Sequence, residues 1–239
     1  MTDDLPPPPS DPAALPPPPV VGWPTPDGGG SFGRGAVLTA VFGIVLTLTA
    51  LVVVLVPRSG VVSSHPPARQ LPPPIRNAVL LVPLGDFPGG LANAIASREA
   101  ADYGLRISVA PTLPIPPAAV DVGRGQLMGE RLEEAIAAAH PESGGSTLVI
   151  GLTVQDIYLL GRPDWQFAFG IRDYGVALVS SARMSRPFDP GGEWNRLGKM
   201  VTRYIGFSFY GLEATGDRGD VLYDNILSLD DLIRMSDHL

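Results

Sequence analysis

The chain has 239 residues, enough for one sizeable domain with appended segments. Its formal net charge of −7 excludes the basic field that attracts nucleic acid, so no nucleic-acid partner is expected. Cysteine is absent, which excludes disulfides, thiol catalysis and cysteine-ligated zinc, and histidine occurs only as His65, His140 and His238.

Residues 1–35 contain two runs of four prolines, at 6–9 and 16–19, and three glycines at 28–30. This composition favours polyproline II and coil, because it has too little apolar surface to offset the entropy lost on ordering. We interpret the segment as a disordered tail. The alternative interpretation is a ligand for a proline-binding domain, through either proline run.

Residues 36–56 form an apolar run of 21 residues without a charge. At about 1.5 Å per residue a helix of this length spans roughly 30 Å, the hydrocarbon thickness of a bilayer. The run predicts a single transmembrane helix, with the lipid bilayer as its partner. A cleaved signal peptide fits poorly, because the run is too long and begins too far from Met1. A buried soluble helix would need an apolar partner surface on every side.

The charges that flank this run give conflicting signals about orientation. Arg58, Arg69 and Arg76 follow it, whereas Arg34 precedes it and is offset by Asp27. Taken literally, the positive-inside rule places the C-terminal domain in the cytoplasm, although long domains cross the membrane largely regardless of this bias. Single anchors behind a short tail more often leave the large domain outside. We therefore expect a single-pass protein of the cell membrane with an extracytoplasmic domain.

A second proline-rich segment, residues 57–76, predicts a spacer, and the folded domain is predicted to span 77–239. Within the domain, the spacing of apolar residues predicts alternating strands and helices. The predicted strands are 78–84, 105–110, 146–152, 167–170 and 176–181. The predicted helices are 91–103, 124–140, 193–210 and 229–235. This order predicts an α/β domain with a mixed sheet around one core.

The stretch at 196–214 has the pattern of a long amphipathic helix that then ends. Leu197, Met200 and Tyr204 recur at three- and four-residue spacings, so they share one side of the helix. Gly211 can adopt a positive φ without steric cost, which predicts the end of the helix at this point.

Six short motifs follow one another through the domain. They are VPLG at 82–85, RGQ at 124–126, IGLTVQDIY at 150–158, FAFG at 167–170, ALVSSARM at 177–184 and NILSLDDL at 225–232. In this order and spacing they resemble the archaemetzincin branch of the metzincin metalloproteases, over residues 78–237. The resemblance implies a zincin-like fold, in which a mixed sheet packs against helices.

The resemblance also implies where catalytic chemistry would lie. Metzincins carry the signature HExxHxxGxxH, in which three histidines bind zinc and the glutamate is the general base for zinc-bound water. The matching window here holds Arg203 at the first ligand position, Tyr204 at the general-base position and Phe207 at the second ligand position. Arginine stays protonated and phenylalanine has no donor atom, so neither can bind zinc.

Other positions of the signature are partly kept. Gly206 remains, and the glycine that ends the helix is Gly211, one residue later than in the family pattern. With that offset, the third ligand position falls on Ala214 and the family's methionine falls on Leu222. The resemblance therefore implies a degenerate site with no catalytic residue, no metal and no cofactor.

An acidic loop follows the helix, with carboxylates at Glu213, Asp217 and Asp220. Oxygen ligands of this kind suit calcium or magnesium. We favour a solvated loop as the interpretation, and a cation site is its alternative.

Other catalytic pairs are not predicted. Ser180 and Ser208 lack a nearby histidine base, and Lys199 lies in a polar stretch that gives no sign of desolvation. The adjacent carboxylates Glu133 and Glu134 are predicted to lie on an exposed helix face.

Arg203 would lie where the metal lies in the family. We hypothesise that its guanidinium pairs with Glu213 or Asp220 and replaces zinc as a structural tie, since a cation in a cleft needs such a partner. Tyr204 and Phe207 would then fill the space of zinc and its water. The alternative is that the helix is simply a core helix.

The sequence thus predicts a membrane-anchored, catalytically inactive metalloprotease homologue that acts as a binding or scaffold module. A sheet edge formed by Phe167, Phe169, Val179 and Ser180 is predicted to capture an extended peptide or a protein partner in the remnant cleft. One alternative is a working peptidase with unusual ligands. Another is a membrane protein whose proline-rich tail is the interacting part.

Overall fold

The computed structural model describes residues 69–173, 175–189 and 191–239. The predicted tail, the predicted membrane span at 36–56 and the first twelve residues of the predicted spacer lie outside the described residues. No helix within the described ranges is long and apolar enough to cross a membrane.

In this part of the chain, eight strands and four α-helices make up the fold. The strands are β1 (Ala78–Pro83), β2 (Ile107–Val109), β3 (Val120–Asp121), β4 (Gln126–Met128), β5 (Thr147–Thr153), β6 (Ile157–Tyr158), β7 (Gly170–Asp173) and β8 (Val176–Ser180). The helices are α1 (Gly89–Tyr103), α2 (Gly129–Ala139), α3 (Gly192–Tyr204) and α4 (Leu229–Arg234). A π-helical turn, Ile205–Phe209, continues α3.

Five strands form the central sheet, in the order β2-β1-β5-β8-β7. The first four are parallel, and β7 runs antiparallel to β8 as the outer strand of a hairpin. Strands β5 and β8 are buried on both faces, which explains their continuous runs of apolar residues. Strands β3, β4 and β6 form a second, smaller sheet. The predicted mixed α/β fold is confirmed.

Helices cover both faces of the central sheet. Leu81 and Ile150 belong to the same apolar cluster as the buried residues of α1 and α3. Val82 and Val149 are their neighbours along β1 and β5 and point to the other face, where they join Leu132 of α2 in a second cluster. The core therefore lies in two layers, one on each side of the sheet.

Helix α2 begins at Gly129, so its predicted start at residue 124 is wrong. Strand β4 occupies Gln126–Met128 and pairs with β3 and β6. Strands of two or three residues are too short to show a period, which is why the pattern did not reveal them. The predicted strand at 167–170 likewise begins only at Gly170.

The segment just before β1 is part of the domain, which corrects the predicted spacer boundary at residue 76. The Ile75 N–H donates to the Phe209 carbonyl at 2.9 Å. The Arg76 guanidinium donates to the Ser208 carbonyl at 2.9 Å and to the Gly145 carbonyl at 2.7 Å. These bonds dock the entering chain against the π-helical turn and the loop before β5.

Candidate functional site

Helix α3 provides the floor of the candidate site. Every residue from 196 to 204 is buried. The helix then widens into the π-helical turn, where the Tyr210 N–H bonds to the Ile205 carbonyl at 3.1 Å. Gly211, at φ 70°, ends the helix where the sequence predicts. A π-helical turn takes up one residue more than an α-helical turn, so it accommodates the one-residue offset of this glycine.

An open cleft of about 570 Å³ lies beside α3. Met200, Arg203 and Tyr204 line it from the helix, residues 165–170 form one wall, and residues 224–227 form another. The predicted site positions Arg203, Tyr204, Phe167 and Phe169 therefore come together in one concave surface.

Three of the sequence motifs meet behind the wall at 165–170: RGQ through Gln126, IGLTVQDIY through Asp156 and ALVSSARM through Arg183. From the RGQ motif, Gln126 donates through Nε2 to the Gln166 carbonyl and to the Asp156 carboxylate, both at 2.8 Å. Arg183 of the ALVSSARM motif donates to both oxygens of the same carboxylate, at 3.0 Å to Oδ1 and at 2.6 Å to Oδ2, the oxygen that also accepts from Gln126. Its guanidinium lies 4.5 Å from the Phe167 ring centroid. The motifs thus hold the wall in place rather than lining the cleft.

Arg203 ties α3 to the segment 221–224. It is 8% exposed, and its Nη1 donates to the carbonyls of Tyr223 and, at 3.4 Å, Val221. Burial lowers the pKa of its guanidinium. The predicted ion pair with Glu213 or Asp220 is wrong: neutral backbone carbonyls hold the guanidinium, because the chain after the helix turns its peptide oxygens toward it.

Tyr204 and Phe207 are packed between α3 and the sheet. The Phe207 ring lies between two guanidinium contacts, with its centroid 4.6 Å from Arg203 Cζ and 4.5 Å from Arg172 Cζ. Such cation–π contacts are stabilising when desolvated. Complete burial raises the pKa of the Tyr204 phenol, so it stays neutral and cannot act as a base near pH 7.

The zinc implied by the fold family does not fit these residues. Arg203 has no lone pair to give and already donates to backbone oxygens, Phe207 has no donor atom, and Ala214 lies exposed beyond the helix. Across the described ranges, no group of three or more histidine, aspartate or glutamate side chains could hold a metal ion. Among the described residues, the His140 side chain hydrogen-bonds with Glu142 alone, at 3.3 Å, and it lies far along the chain from the signature window.

The acidic loop after α3 is used for local structure. The Asp220 carboxylate pairs with Arg69 and accepts the Leu222 N–H at 2.9 Å, while Asp217 accepts the Gly219 N–H at 2.8 Å. Within the described ranges, no three acidic side chains of this loop are grouped as a metal ion would need.

Of the four residues predicted to form a peptide-binding edge, two line the cleft and two lie in an interior strand. Phe167 and Phe169 line the cleft, with their rings edge to face at 5.2 Å between centroids. Val179 and Ser180 belong to β8, which pairs with β5 on one side and β7 on the other, so their predicted position at an edge is wrong. The hairpin places β7 outermost, a pairing that the local pattern could not reveal.

Two charged residues that were predicted to be exposed are buried in the structure. Glu133 is 8% exposed, and burial raises the pKa of its carboxyl to about 8. Its spacing of three residues from the buried Ile136, which puts both on one side of α2, is the sequence signal that could have found it. Lys199 is also buried, and its Nζ donates to the carbonyls of Leu232, Ile233 and Met235 at 2.6–3.1 Å, so it caps the end of α4.

The fold is similar to that of three solved structures. The archaemetzincin of Methanopyrus kandleri is 25% identical with a TM-score of 0.55, over 68% of this chain and 88% of that one. The archaemetzincin of Archaeoglobus fulgidus, solved in complex with malonate, is 17% identical with a TM-score of 0.55, over 67% and 94%. A zinc-dependent peptidase from Methanocorpusculum labreanum is 20% identical with a TM-score of 0.54, over 67% and 95%. No protein-family profile matches the sequence, and no curated protein matches it.

Proposed function

Since the described residues form an archaemetzincin-like domain, we propose that the protein is a membrane-anchored, catalytically inactive metallopeptidase homologue that binds an extended peptide in the cleft beside α3. One observation carries the proposal. The positions of the metzincin ligands and base hold Arg203, Tyr204 and Phe207, whose side chains are engaged in bonds and packing within the protein. No group at these positions can bind zinc or activate water.

The shape of the cleft supports the binding half of the proposal. Strand β7 is the last strand of the central sheet, so one side of its backbone has no strand partner in the described part of the chain. Residues 165–169 lead into it along the cleft wall. An extended peptide could lie along this wall and pair with main-chain groups, as in β-strand addition.

The apolar run at 36–56 supports the membrane anchor. We expect the full chain to sediment with membranes and to resist extraction with alkaline carbonate. Protease added to intact cells should remove the domain, since we propose that it is extracytoplasmic. Protection of the domain until the cells are lysed would instead place it inside, as the positive-inside rule favours.

Metal content and hydrolysis test the catalytic half of the proposal. We expect the full chain, purified in detergent, to contain far less than one zinc per chain by mass spectrometry of metals. A chelator should leave its melting temperature unchanged, and zinc should not induce cleavage of a quenched-fluorescence peptide library. One tightly bound zinc per chain, or metal-dependent cleavage, would establish the working-peptidase alternative.

Pull-down from membranes separates the cleft from the proline-rich tail. Deleting residues 1–33 should leave the co-purified partners unchanged if the cleft is the binding surface. Loss of the partners with this deletion would favour the tail as the interacting part.

A further inference from the structure

The cleft carries a local excess of positive charge in a chain whose net charge is −7. Arg162 and Arg203 line it, whereas Asp224 is its one carboxylate among the described residues. The Asp224 carboxylate accepts from the Asn225 amide at 2.7 Å and pairs with neither arginine. Eight ion pairs of arginine or lysine with a carboxylate join the described residues, and none of them includes Arg162, Arg172 or Arg203.

Arg203 is the unusual member of this set, because it is buried and makes no ion pair with a carboxylate of the described residues, although Asp224 and Asp220 act on its charge from farther away. A buried cation normally needs a paired anion to offset its lost hydration. Backbone carbonyls satisfy Nη1, and the Asp224 carbonyl lies at the limit of a hydrogen bond from Nη2, at 3.5 Å. Nε donates to no atom of the described residues. Arg172, on the same phenylalanine ring, adds like charge beside it.

We infer that the cleft binds its peptide through a carboxylate, which pairs with Arg203 in the floor and Arg162 at the cleft wall. This inference rests on the proposed function and names the chemistry of its ligand. A guanidinium fork matches a carboxylate in geometry and charge, and such pairs are strongest where water is excluded. The carboxylate comes either from an acidic side chain or from the peptide's C-terminus.

The rest of the lining specifies what accompanies the carboxylate. Trp165, Phe167, Phe169 and Met200 present aromatic and thioether surface to the cleft, and Leu227 is 71% exposed at its margin. The volume of about 570 Å³ is far larger than one carboxylate needs. The matching ligand is therefore a peptide in which apolar residues flank the carboxylate.

Equilibrium dialysis of the detergent-solubilised full chain against defined octapeptide pools tests this chemistry. One pool has apolar residues with a single glutamate and a free C-terminus. Matched pools replace glutamate with glutamine, amidate the C-terminus, or do both. We expect the doubly neutral pool to bind at least tenfold more weakly than the first. If the glutamine pool loses the binding, the glutamate side chain supplies the carboxylate. If the amidated pool loses it, the C-terminus does.

Two arginine variants and a control assign the binding to the cleft. Arg162→Gln should weaken binding of the acidic pool about tenfold and leave binding of the doubly neutral pool unchanged. Arg203→Met should have the same effect, provided that circular dichroism shows the variant to be folded. Arg106→Gln, at an exposed position just before β2, should bind as the native chain does. Equal binding of acidic and neutral pools overturns the carboxylate inference but keeps the proposed function. Absence of binding by every pool overturns both.

Discussion

Glu133 shows how one buried carboxyl sets a pH dependence. Its Oε1 atom is enclosed without a hydrogen-bond partner among the described residues. Burial, with repulsion from Asp173 and Glu130, raises its pKa from the ordinary 4.5 to about 8. Between these pH values the folded protein holds a proton that the unfolded chain releases. The free energy of unfolding therefore falls as the pH rises through this window.

We expect Glu133→Gln to remove this dependence, because the amide stays neutral at every pH. The variant and the native protein should be similarly stable near pH 4.5, and the variant should be more stable by about 2–4 kcal/mol at pH 9. Urea unfolding at a series of pH values measures the difference. The matched control is Glu134→Gln, because the Glu134 side chain is 63% exposed and pairs only with Arg131. An unchanged pH slope in Glu133→Gln would contradict the assignment.

At the scale of elements, the contact between β7 and α3 depends on a residue without a side chain. A Cβ atom on Gly170 would lie 2.8 Å from the Tyr204 hydroxyl and would overlap the Leu178 carbonyl oxygen. Neither atom can withdraw, since Tyr204 is packed in the core and the Leu178 carbonyl belongs to the β8 backbone. Gly170 and Tyr204 both line the cleft, so this close approach forms part of its surface.

We expect Gly170→Ala to lower the free energy of unfolding by about 2–3 kcal/mol, because overpacked sites must shift backbone or rotamers. It should also weaken peptide binding, since the cleft wall moves. Gly90→Ala is the control: no atom lies within 4 Å of its added Cβ, and α1 should gain up to about 1 kcal/mol in stability. Unfolding by urea compares the two. Equal stability of both variants would show that β7 and α3 can separate freely.

At the scale of the whole molecule, the chain entering the domain is fastened before the first strand. Arg76 donates to carbonyls in three places: Ser208 in the π-helical turn, Ser143 and Gly145 before β5, and Thr147 at the start of β5. Leu71 packs against the larger apolar cluster. The entering segment therefore connects the end of the α3 helix to the central sheet.

Removing this connection should be costly. Arg76→Ala is expected to destabilise the domain by about 3 kcal/mol, because hydrogen bonds from a charged donor contribute about 1.5–3 kcal/mol each and are partly redundant here. Arg106→Ala serves as a comparison, since the Arg106 side chain is exposed and makes no hydrogen bond to the described residues. Thermal unfolding of both variants is the measurement. A loss no larger than that of Arg106→Ala would restore the spacer interpretation.

The sequence predicted most of the regular elements, because apolar spacing is a local property of helices and strands. The spacing of Leu132 and Ile136 identified the buried side of α2, and the motif order identified an archaemetzincin-like fold, which the solved structures confirm. The same local pattern placed the start of α2 too early and missed β4 and β6. Those strands exist because of pairing with distant residues, which no local period records.

For the candidate site, the sequence by itself determined which chemistry is available. Side-chain types alone show that Arg203, Phe207 and Ala214 offer no ligand to zinc, wherever the fold places them. Only the tertiary structure decided what these residues do instead. Arg203 meets carbonyls about twenty residues along the chain, and Phe207 meets an arginine from the sheet. Side-chain chemistry is a property of each residue, whereas burial and partners arise only when distant segments pack together.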